Sequence, residues 1–150
     1  MWADPVVTRY IGGKPSSEQQ TWARLLTYAG HWSLIGFGYW AVEEKVSGAF
    51  VGELGFAELK RDIRPSISGT PELGWVLAPK AHGKGFATEA LRGAIAWGDD
   101  RIQTAKTACI ISPDNVVSIR VAEKCGYRES ARATYNGQPT ILFARERRPR

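Results

Sequence analysis

The alternation of apolar and polar positions along the chain predicts a mixed α/β protein. Apolar residues recur at helical spacing in residues 17–29, 88–98 and 118–125. Alternating or short apolar runs, typical of strands, cover residues 36–45, 49–59, 72–78, 107–111, 127–134 and 140–147. The order along the chain is therefore α, β, β, β, α, β, α, β, β.

Turn residues fix several of the boundaries. Gly30 is expected to end the first helix, because glycine adopts the left-handed conformation that follows a helix. Residues 45–48 and the pair Asn136-Gly137 predict two antiparallel hairpins. Residues 60–71 hold two prolines and predict a loop long enough to be functional. The strand–helix–strand unit over residues 72–111 should be a right-handed parallel crossover. We therefore predict a mostly antiparallel sheet with a central parallel βαβ crossover and flanking helices.

Composition is that of one ordinary domain spanning residues 1–150. The chain has 43% hydrophobic and 23% charged residues and shows no repeat. No apolar run approaches the ~20 residues that a membrane helix needs. The N-terminus also lacks the pattern of a signal peptide. We therefore expect a cytoplasmic protein with no membrane partner. The two cysteines, Cys109 and Cys125, and the two histidines lack a ligand spacing, so we expect no metal site.

The formal charge of +5 is concentrated at the C-terminus. The last six residues, RERRPR, carry four Arg and one Glu. The rest of the chain is only mildly basic, which suits a small anionic ligand better than a nucleic acid. The tail is short and has no interleaved aromatic residues, so we expect no nucleic-acid partner.

A glycine-rich turn, PKAHGKGFATEA, joins a predicted strand to a predicted helix at residues 79–90. Glycines at 83 and 85 let the backbone approach a ligand closely, and the first N–H groups of the helix have no internal partners. Such a turn favours an anion. The nucleotide P-loop needs a Ser or Thr where Gly85 stands, and the dinucleotide fingerprint needs a Gly where Thr88 stands. An ordinary glycine turn is the alternative to a site for some other phosphate compound.

Three segments, in order, resemble the GNAT (Gcn-related N-acetyltransferase) superfamily. KAHGKG (residues 80–85) is similar to the family pattern Gln/Arg-x-x-Gly-x-Gly/Ala, with Lys80 in the first position. GKGFATEAL and NVVSIRVAEKCGY (residues 115–127) resemble the RimJ/RimL-type branch. The hairpin GFGYWAVEEKVSGAFVGELGF is similar to the family's central hairpin.

The sequence departs from the family at its beginning. Relatives have a strand ahead of the segment that matches DPVVTRY (residues 4–10), and this sequence lacks it. The resemblance then implies an uncovered sheet edge. A second copy of the chain covers that edge, or part of the acceptor site is missing, or the chain starts further upstream.

The resemblance implies transfer of an acetyl group from acetyl-coenzyme A to a primary amine by direct attack in a ternary complex. The amine is a protein N-terminus or a small molecule. A non-catalytic or regulatory acyl-coenzyme A-binding protein is the alternative. The pyrophosphate is expected on the N–H groups of residues 82–88, and the pantetheine beside residues 75–78. A backbone N–H near Val76 or Leu77 would meet the thioester oxygen. The expected cofactor-binding residues are Val76, Leu77, His82, Gly83, Lys84, Gly85, Phe86, Ala87, Thr88, Asn115 and Ser118.

Three residues are candidates for proton transfer. Ser118 would protonate the departing thiolate, although Ser118 or Asn115 could instead cap the helix that follows. Glu72 or Glu53 would act as the general base; the alternative for each is an ordinary strand carboxylate or a partner of an Arg. Arg61 and Arg64 in the loop weakly favour an acceptor that carries a carboxylate.

Overall fold

The computed structural model describes residues 1–147, and its elements follow the predicted order with a short helix added at the start. The helices are α1 (Pro5–Thr8), α2 (Glu18–Ile35), α3 (Phe86–Arg101) and α4 (Val116–Lys124). The strands are β1 (Tyr39–Glu43), β2 (Phe50–Ala57), β3 (Glu72–Leu77), β4 (Lys106–Ile111), β5 (Arg128–Tyr135) and β6 (Gln138–Glu146). Residues 58–71 form the predicted loop.

The six strands form one sheet in the order β1-β2-β3-β4-β6-β5. Only the β3–β4 pair is parallel, and the other neighbours are antiparallel. The Asn136-Gly137 turn has positive φ at both residues, as a tight hairpin requires. The predicted fold class is confirmed.

The core lies between one face of the sheet and the helices α3 and α4. Leu91 of α3 is fully buried, and Phe56 of β2 is 1% exposed. Helix α3 comes so close that a Cβ added at Gly98 would lie 2.7 Å from the Phe56 ring. Tyr127 is fully buried, and its hydroxyl forms a hydrogen bond with that of Thr107 at 2.7 Å. The opposite face of β3 packs against the N-terminal segment instead, where Trp2, Val7 and Val76 form a second buried cluster.

Two of the C-terminal arginines, Arg145 and Arg147, contact the folded domain. Arg145 lies in β6, is 8% exposed and makes two hydrogen bonds, of 2.8 and 2.6 Å, to the carboxylate of Asp99. Arg147 donates to the carbonyl of the same Asp99. The prediction of a charged tail holds for neither of these residues, because β6 extends through Glu146. The rest of the tail, residues 148–150, lies outside the described part.

Helix α2 continues past Gly30, so the predicted helix end was wrong. The helix begins at a capping box between Ser17 and Gln20 and ends at Gly36, which has φ of 78°. The last turn carries Trp32, whose ring packs edge-on against Trp40 and Trp97 at centroid distances of 5.0 and 5.6 Å. A glycine inside a helix costs only about 1 kcal/mol, and this tertiary packing outweighs it.

Gly30→Ala is therefore expected to raise the free energy of unfolding by about 1 kcal/mol. A Cβ at this position meets nothing within 4 Å, so only the helix propensity changes. Urea denaturation measures the effect. Gly36→Ala is the matched control and should lower stability, because its positive φ disfavours a side chain. A loss of stability in Gly30→Ala would show that the helix does not continue as described.

Helix α2 also contacts the open edge of β1 at its first residue. Residues 1–38 contain no strand, yet the indole N–H of Trp32 donates to the carbonyl of Tyr39 at 2.9 Å. His31 binds the backbone of Glu58, just beyond the end of β2. The chain's own helix therefore contacts the edge at Tyr39, while β1 remains an edge strand of the sheet. That a second copy of the chain covers this edge stays a prediction.

Candidate functional site

Strands β3 and β4 diverge after their first residues. Only one pair, Glu72 with Ala108, is in register, and the Ala108 N–H bonds the Pro71 carbonyl at 3.0 Å. Beside it, β3 pairs with β2 along its whole length, from Glu72 to Leu77. A gap therefore opens between the two parallel strands toward their carboxyl ends.

The pairing with β2 decides which backbone groups of β3 face this gap. The N–H of Ala78 donates to the Val51 carbonyl at 2.8 Å, which sets the phase of the antiparallel ladder. Because such ladders alternate, the N–H of Val76 also points to β2, while Trp75 and Leu77 direct theirs to the gap. Of the two predicted donors, Leu77 is the one that lies at the gap.

The glycine-rich turn presents a row of backbone donors. Gly83 and Gly85 have φ of 72° and 81°, and Gly85 begins α3 without a side-chain cap. Within residues 1–147, the N–H groups from 83 to 88 have no hydrogen-bond partner. A Cβ added at either glycine meets nothing within 4 Å, so no other part of the described chain crowds these two residues. Six free N–H groups and a helix N-terminus make a cradle that fits a pyrophosphate.

His82 differs from its predicted role. Its backbone N–H bonds the Pro79 carbonyl at 3.1 Å, so it adds no donor to the cradle. Its ring Nε2 lies 3.0 Å from the Leu77 carbonyl, which means that Nε2 carries the hydrogen in this contact. The His82 ring therefore donates a hydrogen bond to the carbonyl at the end of β3.

Helix α4 starts at the same edge of the sheet as the cradle. Since β3 and β4 are parallel, the helices that follow them both begin beyond the carboxyl ends of these strands. The Asn115 side chain accepts the N–H of Ser118 at 3.2 Å and caps α4. The Ser118 hydroxyl is half-buried and has no hydrogen-bond partner in the described part of the chain. Of the two residues expected to cap, Asn115 does so, and the hydroxyl is left available.

Glu53 projects from β2 on the face opposite α3. Its Oε1 accepts the indole N–H of Trp2 at 2.8 Å and the hydroxyl of Tyr28. No contact in the described residues engages Oε2. No buried side-chain oxygen there lacks a partner, so Oε2 is open to solvent. Trp2 is buried against Val76 beside this carboxylate.

Glu72 lies on the same face but is fully engaged. Arg61 binds both of its oxygens, at 2.7 and 2.8 Å, and also donates to the Tyr135 hydroxyl at 3.1 Å. Glu72 is 7% exposed. Burial opposes the charge of Arg61, but the hydrogen bonds and charge of Glu72 raise the pKa of the guanidinium above its ordinary value. The alternative of a carboxylate paired with an Arg is what the structure shows. Arg61 is accordingly not free for an acidic acceptor.

Two tyrosines stack beside Glu53. The rings of Tyr28 and Tyr39 lie 4.6 Å apart with an interplanar angle of 14°. A Cβ added at Gly74 would lie 1.9 Å from the Tyr39 hydroxyl, so this phenol lies directly over β3. Neither tyrosine nor Trp2 was among the residues predicted for the site. Glycines inside β2 and β3 were the signal for Tyr39, because glycine in a strand marks close approach of another group.

Burial is the main cause that raises the pKa of three tyrosines above 10.0, namely Tyr28, Tyr39 and Tyr127. The folded protein keeps these phenols neutral, so their contribution to stability is present below pH 10 and lost above it, where the unfolded chain ionises. We expect the absorbance change of three of the five tyrosines to coincide with alkaline unfolding. Ultraviolet titration with circular dichroism at each pH measures this. Smooth ionisation of all five near pH 10 in the folded protein would contradict it.

Residues 1–147 contain no cluster of three or more His, Cys, Asp and Glu side chains arranged to hold a metal ion. No helix in that range has both the length and the apolar character needed to cross a membrane.

The fold and the gap define an acetyltransferase-type domain, and the comparisons agree. Residues 1–128 match the family model "Acetyltransferase (GNAT) domain", and the chain belongs to this family. YkkB of Bacillus subtilis (strain 168) is 29% identical over 152 residues, covering 97% of this chain and 82% of YkkB.

Solved structures share the fold. A GnaT-family protein from Bordetella pertussis is 29% identical with a TM-score of 0.83, covering 93% of this chain and 86% of that one. Spermidine N-acetyltransferase from Vibrio cholerae, solved with CoA and spermine, is 18% identical with a TM-score of 0.72, covering 97% and 85%. At 18% identity the second likeness concerns the fold alone.

Proposed function

We propose that this protein is an N-acetyltransferase that uses acetyl-coenzyme A and a primary amine in a ternary complex. The single observation that carries the proposal is the gap between β3 and β4, flanked by six unpartnered N–H groups. Acetyl-coenzyme A supplies the acetyl group as a thioester; transfer forms a carbon–nitrogen bond, breaks the carbon–sulfur bond and leaves the coenzyme as a thiol. The segments GKGFATEAL and NVVSIRVAEKCGY favour the RimJ/RimL-type branch.

The cradle and the gap-facing edge of β3 would bind different parts of acetyl-coenzyme A. The N–H groups of residues 83–88 would hold the pyrophosphate, with the exposed Lys84 beside them. The backbone of Trp75 and Leu77 would hydrogen-bond the pantetheine as an added strand does. The Leu77 N–H is the donor in place to bind the thioester oxygen. His82 must release the Leu77 carbonyl if the pantetheine uses it.

The amine must lose a proton before it attacks, and Glu53 is the base that the site supports. Its Oε2 is open and unpartnered, whereas both oxygens of Glu72 are bound by Arg61. Trp2 and Tyr28 hold the Glu53 carboxylate in one orientation through Oε1. Glu53 therefore takes the proton at Oε2, and Glu72 positions the loop through Arg61.

Ser118 would return a proton to the coenzyme sulfur. Its hydroxyl is free because Asn115 caps α4. Ser118→Ala should lower turnover by ~10²-fold, the lower end for loss of a general acid, with little change in coenzyme A affinity. Steady-state kinetics and calorimetric titration with coenzyme A separate the two effects. Turnover equal to that of the parent protein would remove Ser118 from proton transfer, and the exposed Val117→Ala in the same helix is the control.

A panel of amines tests the function directly. Acetyl-coenzyme A is mixed with small aliphatic amines, polyamines and N-terminal peptides, and release of free thiol is followed. The family membership and the amine named for the Vibrio cholerae protein support this choice of acceptors. Thiol release with one class of amine would support the proposal. Tight coenzyme A binding without thiol release on any amine would favour a non-catalytic role, and no binding would overturn the proposal.

A further inference from the structure

The sheet face that carries Glu53 presents two open oxygens. One is Glu53 Oε2, and the other is the hydroxyl of Tyr39, which has no hydrogen-bond partner among the residues that the structure describes. Neither oxygen is a buried atom without a hydrogen-bond partner, so both reach solvent. The two side chains lie on one face, since Tyr39 is opposite Gly55 and Glu53 is two residues before it.

The Tyr39 phenol is held in a fixed place. Its ring stacks on Tyr28, and its carbonyl is bound by the Trp32 indole. Glycines at 55 and 74 let the ring run across β2 and end over β3. Burial, the largest cause, raises the pKa of Tyr39, so the hydroxyl keeps its proton. A rigid neutral phenol at this point offers an oxygen that can accept a hydrogen bond.

Glu53 is the carboxylate on this face that no cation neutralises. Neutral donors, Trp2 and Tyr28, occupy its Oε1, and in residues 1–147 no Lys, Arg or His lies within 4.0 Å of it. The nearby Arg24 lies over the Trp2 ring at 3.5 Å instead. Arg61 is bound to Glu72. A partly buried, uncompensated carboxylate favours a cation.

We propose that Tyr39 Oη and Glu53 Oε2 together bind the ammonium group of the acceptor, and that they select primary aliphatic amines without a neighbouring carboxylate. This rests on the proposed function. A primary ammonium has three N–H donors and can bind both oxygens, whereas a quaternary ammonium has none. A carboxylate close to the amine would be repelled by Glu53. The Tyr39 hydroxyl lies over Gly74 and Glu53 is opposite Val76, so the bound ammonium would lie over the part of β3 that precedes Leu77.

The first experiment measures binding without turnover. The indole N–H of Trp2 donates to Glu53, so its ¹⁵N–¹H resonance reports on that carboxylate; Trp2→Phe assigns the peak. n-Propylammonium should shift this peak in a saturable manner, and both β-alanine and tetramethylammonium should bind at least ~10-fold more weakly. Tyr39→Phe should weaken n-propylammonium binding by ~5- to 10-fold, the value of one hydrogen bond. Tyr10→Phe, an exposed tyrosine, is the matched control.

The second experiment measures specificity. The value of kcat/KM for n-propylamine should exceed that for β-alanine by at least ~10-fold in the parent protein, because Glu53 repels the carboxylate, and it should fall by ~5- to 10-fold in Tyr39→Phe. Gly74→Ala should have the same effect, because its methyl group would displace the hydroxyl. Equal use of both amines by the parent protein, or unchanged kcat/KM for n-propylamine and unchanged binding in Tyr39→Phe, would overturn this inference and leave the proposed function standing. Coenzyme A binding without transfer to any amine would instead count against the proposed function, whatever the peak of Trp2 does.

Discussion

Glu53→Gln is expected to lower kcat/KM for acetyl transfer by ~10²–10⁴-fold, the range for loss of a general base. The amide is the same size as the carboxylate and its oxygen can still accept from Trp2 and Tyr28, so the fold around it should persist. What is lost is the basic oxygen that faces solvent. Thiol release gives the rate, and titration with coenzyme A should show an unchanged affinity.

Glu43→Gln is the matched control for this change. Glu43 lies on β1, the strand next to Glu53, and is exposed. Its replacement should leave kcat/KM as in the parent protein. A Glu53→Gln variant that transfers acetyl groups at the parent rate would show that solvent or another group takes the proton.

Glu72→Leu is expected to destabilise the fold by about 3 kcal/mol, because it leaves the largely buried guanidinium of Arg61 without its carboxylate. The double variant Arg61→Met/Glu72→Leu should recover most of this loss, since apolar side chains of similar size often replace a buried ion pair without cost. Chemical denaturation of both variants gives the values. Glu129→Gln breaks an exposed pair with Arg132 and should have no measurable effect.

The same variants test which of the two carboxylates, Glu53 or Glu72, acts as the general base. If Glu72 acts through Arg61 on the loop, the stable double variant should keep measurable acetyl transfer. If the double variant is as stable as the parent protein but inactive, and Glu53→Gln is active, then Glu72 rather than Glu53 acts as the general base.

Local signals in the sequence account for most of the fold. The glycine-rich turn was found from the sequence because its donors, its glycines and the helix that follows are neighbours along the chain. The hairpins were predicted for the same reason, since their turn chemistry sits between two short apolar runs. Gly30 was misread because its local signal, a glycine near the end of an apolar pattern, is weaker than the packing of Trp32 two residues later.

The acceptor side of the site could not be predicted from local signals in the sequence. Glu53 was among the candidates, but its partners Trp2 and Tyr28 lie 51 and 25 residues away. Glu72 was the other candidate for the general base. Its contact with Arg61, which comes from the loop, shows that its oxygens are engaged. Whether a strand carboxylate serves as a base depends on which neighbours reach it, and those neighbours come from distant parts of the chain.

The sequence by itself determined the family resemblance, the order of strands and helices, and the glycine-rich turn at residues 79–90, which is expected to hold an anion. These depend on periodicity and on residues close together along the chain. The tertiary structure decided that Leu77 rather than Val76 faces the gap, that α2 contacts the edge of β1 at Tyr39, and that Tyr39 and Glu53 leave open oxygens on one face. Strand register and side-chain contacts between distant segments are set by how the whole sheet packs, because one residue of shift turns every side chain to the other face.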